Sequence, residues 1–277
     1  MVNRKYSNLK TLLTIQLDVV CNKPQMNKKI TYQEIKPSRD LENFVHSFWT
    51  SKNESNVHRE VTISPDSFFK IIFFVQGEKI INYFITGIWT EKKDFIIPTN
   101  TTIFGCRLKI LAPEYLLNKE IASLLDSLKQ LELSYLNINN FTLSDFEIIV
   151  KQWEVELSRL KPNKKIQTNK LRLSQLLYNS NGDLHTSEVS EQIYWTNRQI
   201  NRYLNKYIGI SLKKYLNIQK IYASYSQIIK GELSPNKNNY FDQAHFIRSV
   251  KQYTGETPKS VYLKQNDRFI QLKHIKE

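Results

Sequence analysis

Two stretches near the C-terminal end set arginines and side-chain amides at helical spacing. In 186–209, Arg198, Asn201, Arg202 and Asn205 fall on one stripe of a 3.6-residue period, with Ile200, Leu204 and Tyr207 on the opposite one. In 240–258, Gln243, Ala244, Ile247 and Arg248 share an outward side, while Phe246, Val250 and Tyr253 point inward. A guanidinium group offers two parallel donors to O6 and N7 of guanine. An Asn or Gln amide suits the adenine edge, and an apolar side chain such as Ala244 or Ile247 suits a thymine methyl. Lys206 lies further round the first helix, where a phosphate is the expected partner. The chemistry implied is non-covalent reading of base edges, arranged twice in one chain.

Such side chains need helices with one buried face and a fixed start. Val189 and Ile193 on a preceding helix offer partners for Ile200 and Leu204, and Gly209 closes the first unit. Asp242 caps the second helix, and Thr257 with Pro258 opens a last one, Thr as cap and Pro in the first turn. The region reads as consecutive helices at about 167–179, 186–194, 197–208, 211–230, 242–253 and 258–265. The long one carries Leu212, Tyr215, Leu216, Ile218, Gln219 and Tyr222, and has the length to bridge two helical units.

Charge concentrates in the same part of the chain. From residue 164 onward there are 19 Lys and Arg against 8 Asp and Glu, whereas the first 163 residues hold 21 against 18. A bias toward Lys throughout the chain would not produce that asymmetry; a polyanion-binding region would. The hydrophobic content of 40% over 277 residues is enough for real cores and suits two domains. Cys21 and Cys106 have no metal-ligand spacing, which fits a reducing, cytoplasmic setting. No apolar run approaches the ~20 residues that span a bilayer. Residues 1–25 read as an appendage, with Met26 as an alternative start or the whole stretch as an ordinary N-terminal helix.

The N-terminal half reads mostly as β. Strand-like runs fall at 31–35, 68–75, 79–88, 94–98 and 101–110, separated by turn material around Pro65 and Gly77. Residues 40–49 read instead as a short helix, because Leu41, Phe44, Val45 and Phe48 follow an i, i+3, i+4, i+7 stripe. Beyond Pro113 the pattern turns helical, with Leu116, Leu117, Ile121, Leu124, Leu125, Leu128 and Leu131 forming a broad apolar face. A helix at 144–160 is expected, capped by Ser144. The polar, Pro-bearing segment 161–165 marks the domain boundary.

Other chemistries find little support. His46, His58, His185, His245 and His274 are scattered, so no metal site or cofactor is expected. His245 could touch a phosphate, though a structural or solvent-facing role weighs more. Trp49, Trp89 and Trp153 could line an effector pocket but more often fill a core, and Trp195 reads as a wedge inside the first unit. Arg107 in an apolar strand could meet an anionic ligand, form a buried ion pair or sit at a sheet edge. With seven Gly, no phosphate loop and no nucleophile elbow, the chain is not expected to be an enzyme.

The run from Ile200 to Leu204 with Gly209, and the run from Asp242 to Arg248 followed by Thr254-Gly-Glu-Thr-Pro258, resemble the DNA-binding domain of the AraC/XylS family of transcription regulators. The resemblance spans about 170–265. It implies two helix-turn-helix units joined by a long helix, and places base contacts on Arg198, Asn201, Arg202, Gln243, Ala244 and Arg248. Tyr194 stands where the family usually has a turn Gly with positive φ, Ser190 where it has a small Ala, and Asn239 where it has a Gly. The N-terminal half resembles, less specifically, an uncharacterised sensor-like domain found ahead of this one in some members. The segments concerned are 32–38, 44–49, 65–66 and 104–108.

The expected fold class is α+β: a mixed β-rich/α domain at 26–160, then an all-α domain at 166–270. The expected function is sequence-specific binding of double-stranded DNA at two successive major grooves, about one helical turn or ~34 Å apart. A small-molecule effector or a second copy stays open as a partner of the N-terminal domain. RNA polymerase joins them if the chain is an activator, and activator and repressor both stay open. The rival reading is a helical adaptor whose basic face binds an acidic protein; the duplicated polar stripe argues against it.

Overall fold

The computed structural model of the chain describes residues 30–161, 164–234 and 240–264. The expected appendage 1–25, Met26, Cys21, Asn239, His274 and the end of the last expected helix lie outside the described residues.

Strands rich in Ile, Phe and Tyr build two antiparallel sheets. The strands are β1 (Ile30–Ile35), β2 (Val45–Asn53), β3 (Arg59–Ile63), β4 (Phe69–Gln76), β5 (Lys79–Thr86), β6 (Lys93–Ile97), β7 (Thr101–Leu108) and β8 (Leu128–Gln130). Six of them form one sheet in the order β1-β2-β7-β4-β5-β8, and β3 pairs with β6 in a second. Alternation sorts the side chains by face. Phe48, Phe73, Phe104 and Cys106 enter the main core, where Trp153 packs on Phe48 and Phe73 at centroid distances of 5.7 and 5.1 Å. Trp49, Ile72 and Ile103 face the other way and meet Val61 and Ile97 of the small sheet. Gly105 stands opposite Trp49 in the β2–β7 register. A Cβ there would lie 2.1 Å from the indole, so the ring occupies the space a side chain would need.

Two helical expectations are corrected here. Residues 45–53 form β2, entered by a turn in which Val45 N donates to Leu41 O at 2.8 Å. β2 is interior to the sheet and buried on both faces. It therefore lacks polar alternation, and its apolar residues mimic a helical stripe. The Leu-rich run after Pro113 is not one helix either. It holds α1 (Ala112–Tyr115), a 3₁₀ turn at Ala122–Leu124 and β8. Asn118 and Asp126 adopt positive φ, 48° and 55°, and break any continuous helix. Leu116, Leu117 and Ile121 are nonetheless buried, so the run fills core from an irregular path. Strand β3 falls outside the strand-like runs of the sequence.

Helix α2 (Phe146–Arg159) starts at an extended Asp145 rather than at Ser144, and buries Ile149, Val150, Trp153 and Leu157. The helical half follows as α3 (Thr168–Asn179), α4 (Thr186–Ile193), α5 (Asn197–Tyr207), α6 (Leu212–Ile229), α7 (Gln243–Thr254) and α8 (Pro258–Lys264). It packs directly on the β half. Tyr215 Oη donates to Ser67 O at 3.2 Å and bonds Tyr178 Oη at 2.8 Å, Ile110 N donates to Tyr178 Oη, and Lys170 pairs with Glu114 at 2.7 Å. The chain is thus an α+β protein, β-rich first and helical after. No helix among the described residues is long and apolar enough to cross a membrane.

Candidate nucleic-acid interface

The first unit is α4, a tight turn and α5. Val189 and Ile193 of α4, and Ile200 and Leu204 of α5, are all buried, so the two helices lock face to face. Thr196 starts α5 with a capping box. Its Oγ1 accepts from Gln199 N at 3.2 Å, and Gln199 Oε1 accepts from Thr196 N at 2.8 Å. Tyr194 closes α4 in the left-handed region, at φ 56° and ψ 38°, the conformation its Gly-like position requires. Ser190 Oγ donates to Trp195 O and pins the turn. Trp195 packs on Tyr203 with centroids 6.0 Å apart, as a wedge within the unit.

With Ile200 and Leu204 buried, Arg198, Arg202, Asn205 and Lys206 stand exposed. Asn201 differs from its expectation. Its Oδ1 accepts from Leu212 N at 2.9 Å and its Nδ2 donates to Asn197 O at 2.8 Å, so the amide ties α5 to the start of α6. It is half-buried and does not stand clear on the outward stripe. Lys206 lies 3.5 Å from Glu120 of the β half.

The second unit is built differently. Among the described residues no helix lies between α6 and α7, so α6 and α8 form the scaffold of α7. Phe246, Val250 and Tyr253 of α7 are buried. Tyr240 packs on Phe246 at 5.0 Å and its Oη lies 2.9 Å from Ser224 Oγ of α6. Asp242 Oδ1 accepts from His245 N at 2.6 Å, and Gly255 ends the helix at φ 77°. Gln243, Ala244 and Arg248 are exposed, and Ile247 is half-buried. Gln243 Nε2 donates to Leu233 O at 3.0 Å. His245 Nδ1 accepts from Phe241 N, which gives this His a role in holding the turn. Phe241, on neither stripe of α7, is 95% exposed.

In the β half, a cavity of about 60 Å³ lies between the two sheets. Trp49 and Trp89 line it with Ile72, Phe84 and Ile97, and Lys70 and Arg107 reach it. Trp153 belongs to the opposite core. Arg107 is buried and donates to Glu34 Oε2 at 2.8 Å, to Tyr32 Oη at 3.0 Å and to Ser47 Oγ at 3.3 Å. Lys70 donates to Asp66 Oδ1 at 2.8 Å. Burial pulls the Lys70 ammonium below its usual range, against the Asp66 carboxylate that holds it up. Of the three roles open to Arg107, the geometry shows the buried ion pair, and the edge position is excluded because β7 lies between β2 and β4. Among the described residues, no group of three or more His, Cys, Asp or Glu is placed to hold a metal ion.

No curated protein matches the chain. In structure it resembles ToxT from Vibrio cholerae at low similarity. One ToxT crystal structure shares 12% identity, with 78% of this chain and 97% of that chain covered, at a TM-score of 0.44. The structure of unsaturated fatty acid-bound wild-type ToxT gives 11%, 79%, 95% and 0.45 in the same terms. By sequence, residues 33–129 match a family described as a domain of unknown function, DUF6597.

Proposed function

We propose that this chain is a non-catalytic, AraC-type transcription regulator that binds double-stranded DNA through α5 and α7. One observation carries the reading. Two firmly capped helices on either side of α6 each bury one apolar face and expose the other, and each exposed face holds arginine. The basic excess of the same part of the chain supplies salt-dependent affinity for phosphates. Arg198, Arg202, Asn205, Gln243, Ala244, Ile247 and Arg248 are the assigned base-edge residues, with Lys206 on a phosphate. Asn201 belongs to the frame that holds α5. The assigned units are an appendage at 1–25, a regulatory domain at 26–160 and the DNA-binding domain at 166–270. The two reading helices take successive major grooves, about one helical turn apart.

The regulatory domain is assigned a small-molecule effector or a second copy as partner. The apolar cavity between the sheets is the place for the former, but at about 60 Å³ it lies well below the ~300 Å³ of an ordinary ligand pocket, so an effector enters only if the two sheets part. The Asp66–Lys70–Arg107 cluster reaches that cavity, and Ser67, beside Asp66, bonds Tyr215 of α6, so a change there has a short path to the helical half. Binding-site selection with the full chain tests the reading. Enrichment of a bipartite motif with half-sites about one turn apart is expected; a pool that stays random overturns it.

A further inference from the structure

A large hydrophobic side chain standing alone in water is ordinary, so its place in the fold decides whether it has a partner to meet. Among the described residues, Phe241 at 95% exposure and Tyr194 at 79% are the two most exposed large hydrophobics. Both stand in the turn that leads into a reading helix. Phe241 directly precedes Asp242, the N-cap of α7, and Tyr194 lies two residues before Thr196, the N-cap of α5. The two units are built on different scaffolds, yet each displays one aromatic ring at this place.

Neither ring hangs from a loose segment. Tyr240 is buried beside Phe246 and Ser224, Asp242 caps the helix, and Phe241 N donates to His245 Nδ1, so the backbone around Phe241 is held on both sides. Tyr194 keeps a bulky side chain at φ 56°, where Gly would sit without strain. Its N–H bonds the last turn of α4, and the Arg172 guanidinium lies 6.0 Å from its ring.

We propose that Phe241 and Tyr194 are DNA contacts in their own right. Phe241 packs on a thymine 5-methyl at the edge of the site read by α7, and Tyr194 packs on the backbone sugar with its hydroxyl toward a phosphate beside α5. The inference rests on the DNA-binding reading above. A partner that fits must offer negative charge to the cations on α5 and α7 and an apolar edge beside it. Duplex DNA alternates those features over a few ångströms. A protein partner would more naturally meet a contiguous apolar patch with a buried centre, whereas each turn offers a single ring in polar surroundings.

The test uses the full chain and the duplex it selects. Each thymine in the α7 half-site is replaced in turn by deoxyuridine, which removes only the methyl. One such position should weaken the wild type about fourfold, the worth of one buried methyl. Phe241→Ala should bind more weakly and lose that sensitivity, with an unchanged melting temperature because the ring touches little. Tyr194→Asn, which tolerates left-handed backbone, should weaken binding about equally for all sequences. Wild-type indifference to every deoxyuridine, or unaltered affinity in both variants, overturns the proposal. So does a variant with full DNA affinity that fails only in contact with RNA polymerase, because the rings would then serve a protein. A wild-type chain that selects no DNA at all overturns the regulator reading together with this one.

Discussion

At the scale of single residues, Arg202 and Arg248 carry the most specific expectation. A guanidinium that reads guanine should show its loss at one base position. Arg202→Ala and Arg248→Ala are each expected to relax preference at their own position by about 1–3 kcal/mol, measured on duplexes varied one base pair at a time. A loss shared by all sequences would mark them as phosphate contacts. Tyr194 tests the backbone instead. A non-Gly residue in the left-handed region gives up on the order of 1 kcal/mol, so Tyr194→Gly should raise the urea midpoint even as it removes the exposed ring; an unchanged or lower midpoint would mean the turn is not strained. His46 sets a pH limit. Burial, then the charges of Lys36, Arg107 and Lys109, hold its imidazole down at about 3, against 6.5 when unfolded. The unfolded chain then binds a proton that the folded one refuses. Stability is whole above pH 6.5 and falls as pH drops toward 3. His46→Gln should flatten that fall in urea titrations run between pH 7 and pH 4, and an equally steep variant would acquit His46.

At the scale of elements, Asn201 has partners that a reading of one helix does not reveal. Its place on the outward stripe follows from the 3.6-residue period, but the start of α6 comes close enough for Leu212 N to take its amide oxygen. Asn201→Ala should therefore lower stability by about 1 kcal/mol and leave the selected motif unchanged, while Asn201→Asp keeps the acceptor for Leu212 N but turns its other oxygen on Asn197 O, and should restore only part of the stability. A shifted motif with unaltered stability would return Asn201 to the base-reading set. Helices α3 to α8 were legible because each carries its own signals: an amphipathic stripe, a Thr, Ser or Asp at the start, a Gly at φ 83° or 77° after α5 and α7. The β half was half legible. Strands β4, β5, β6 and β7 announce themselves by composition and turns. Strand β2 did not, because burial on both faces erases alternation, and the Leu run after Pro113 did not, because its breaks fall at Asn118 and Asp126, which take left-handed backbone without a Gly to mark it. Asn201 and Ile247 excepted, the outward stripes on α5 and α7 were readable from spacing, whereas the exposure of Phe241 depends on how Tyr240 packs against α6, a contact that no local pattern records.

At the scale of the whole molecule, the unit of α4 and α5 is moored to the β half at its far end. Ile121 N donates to Tyr207 O at 2.9 Å, and a Cβ on Gly209 would come within 2.8 Å of Ala122 O, so the end of α5 lies hard against the 3₁₀ turn at Ala122–Leu124. Two ion pairs flank this seam and differ in kind. Lys170 and Glu114 are largely buried at 2.7 Å, while Lys206 and Glu120 are more than half exposed at 3.5 Å. The buried pair should be structural: Glu114→Gln strands the Lys170 ammonium at low dielectric, and a loss of about 3–5 kcal/mol is expected. The exposed pair is worth little to stability, roughly 0–1 kcal/mol, but it sets a carboxylate beside the lysine assigned to a phosphate. DNA must then compete with Glu120 for Lys206 and approach against a like charge. Glu120→Gln should leave the melting temperature in place and raise DNA affinity about two- to fivefold at low ionic strength, the gain fading as salt shortens the reach of exposed charges to ~8 Å. If affinity at low salt is the same with and without that carboxylate, Lys206 does not approach the backbone, and the orientation assigned to α5 in the groove has to be turned.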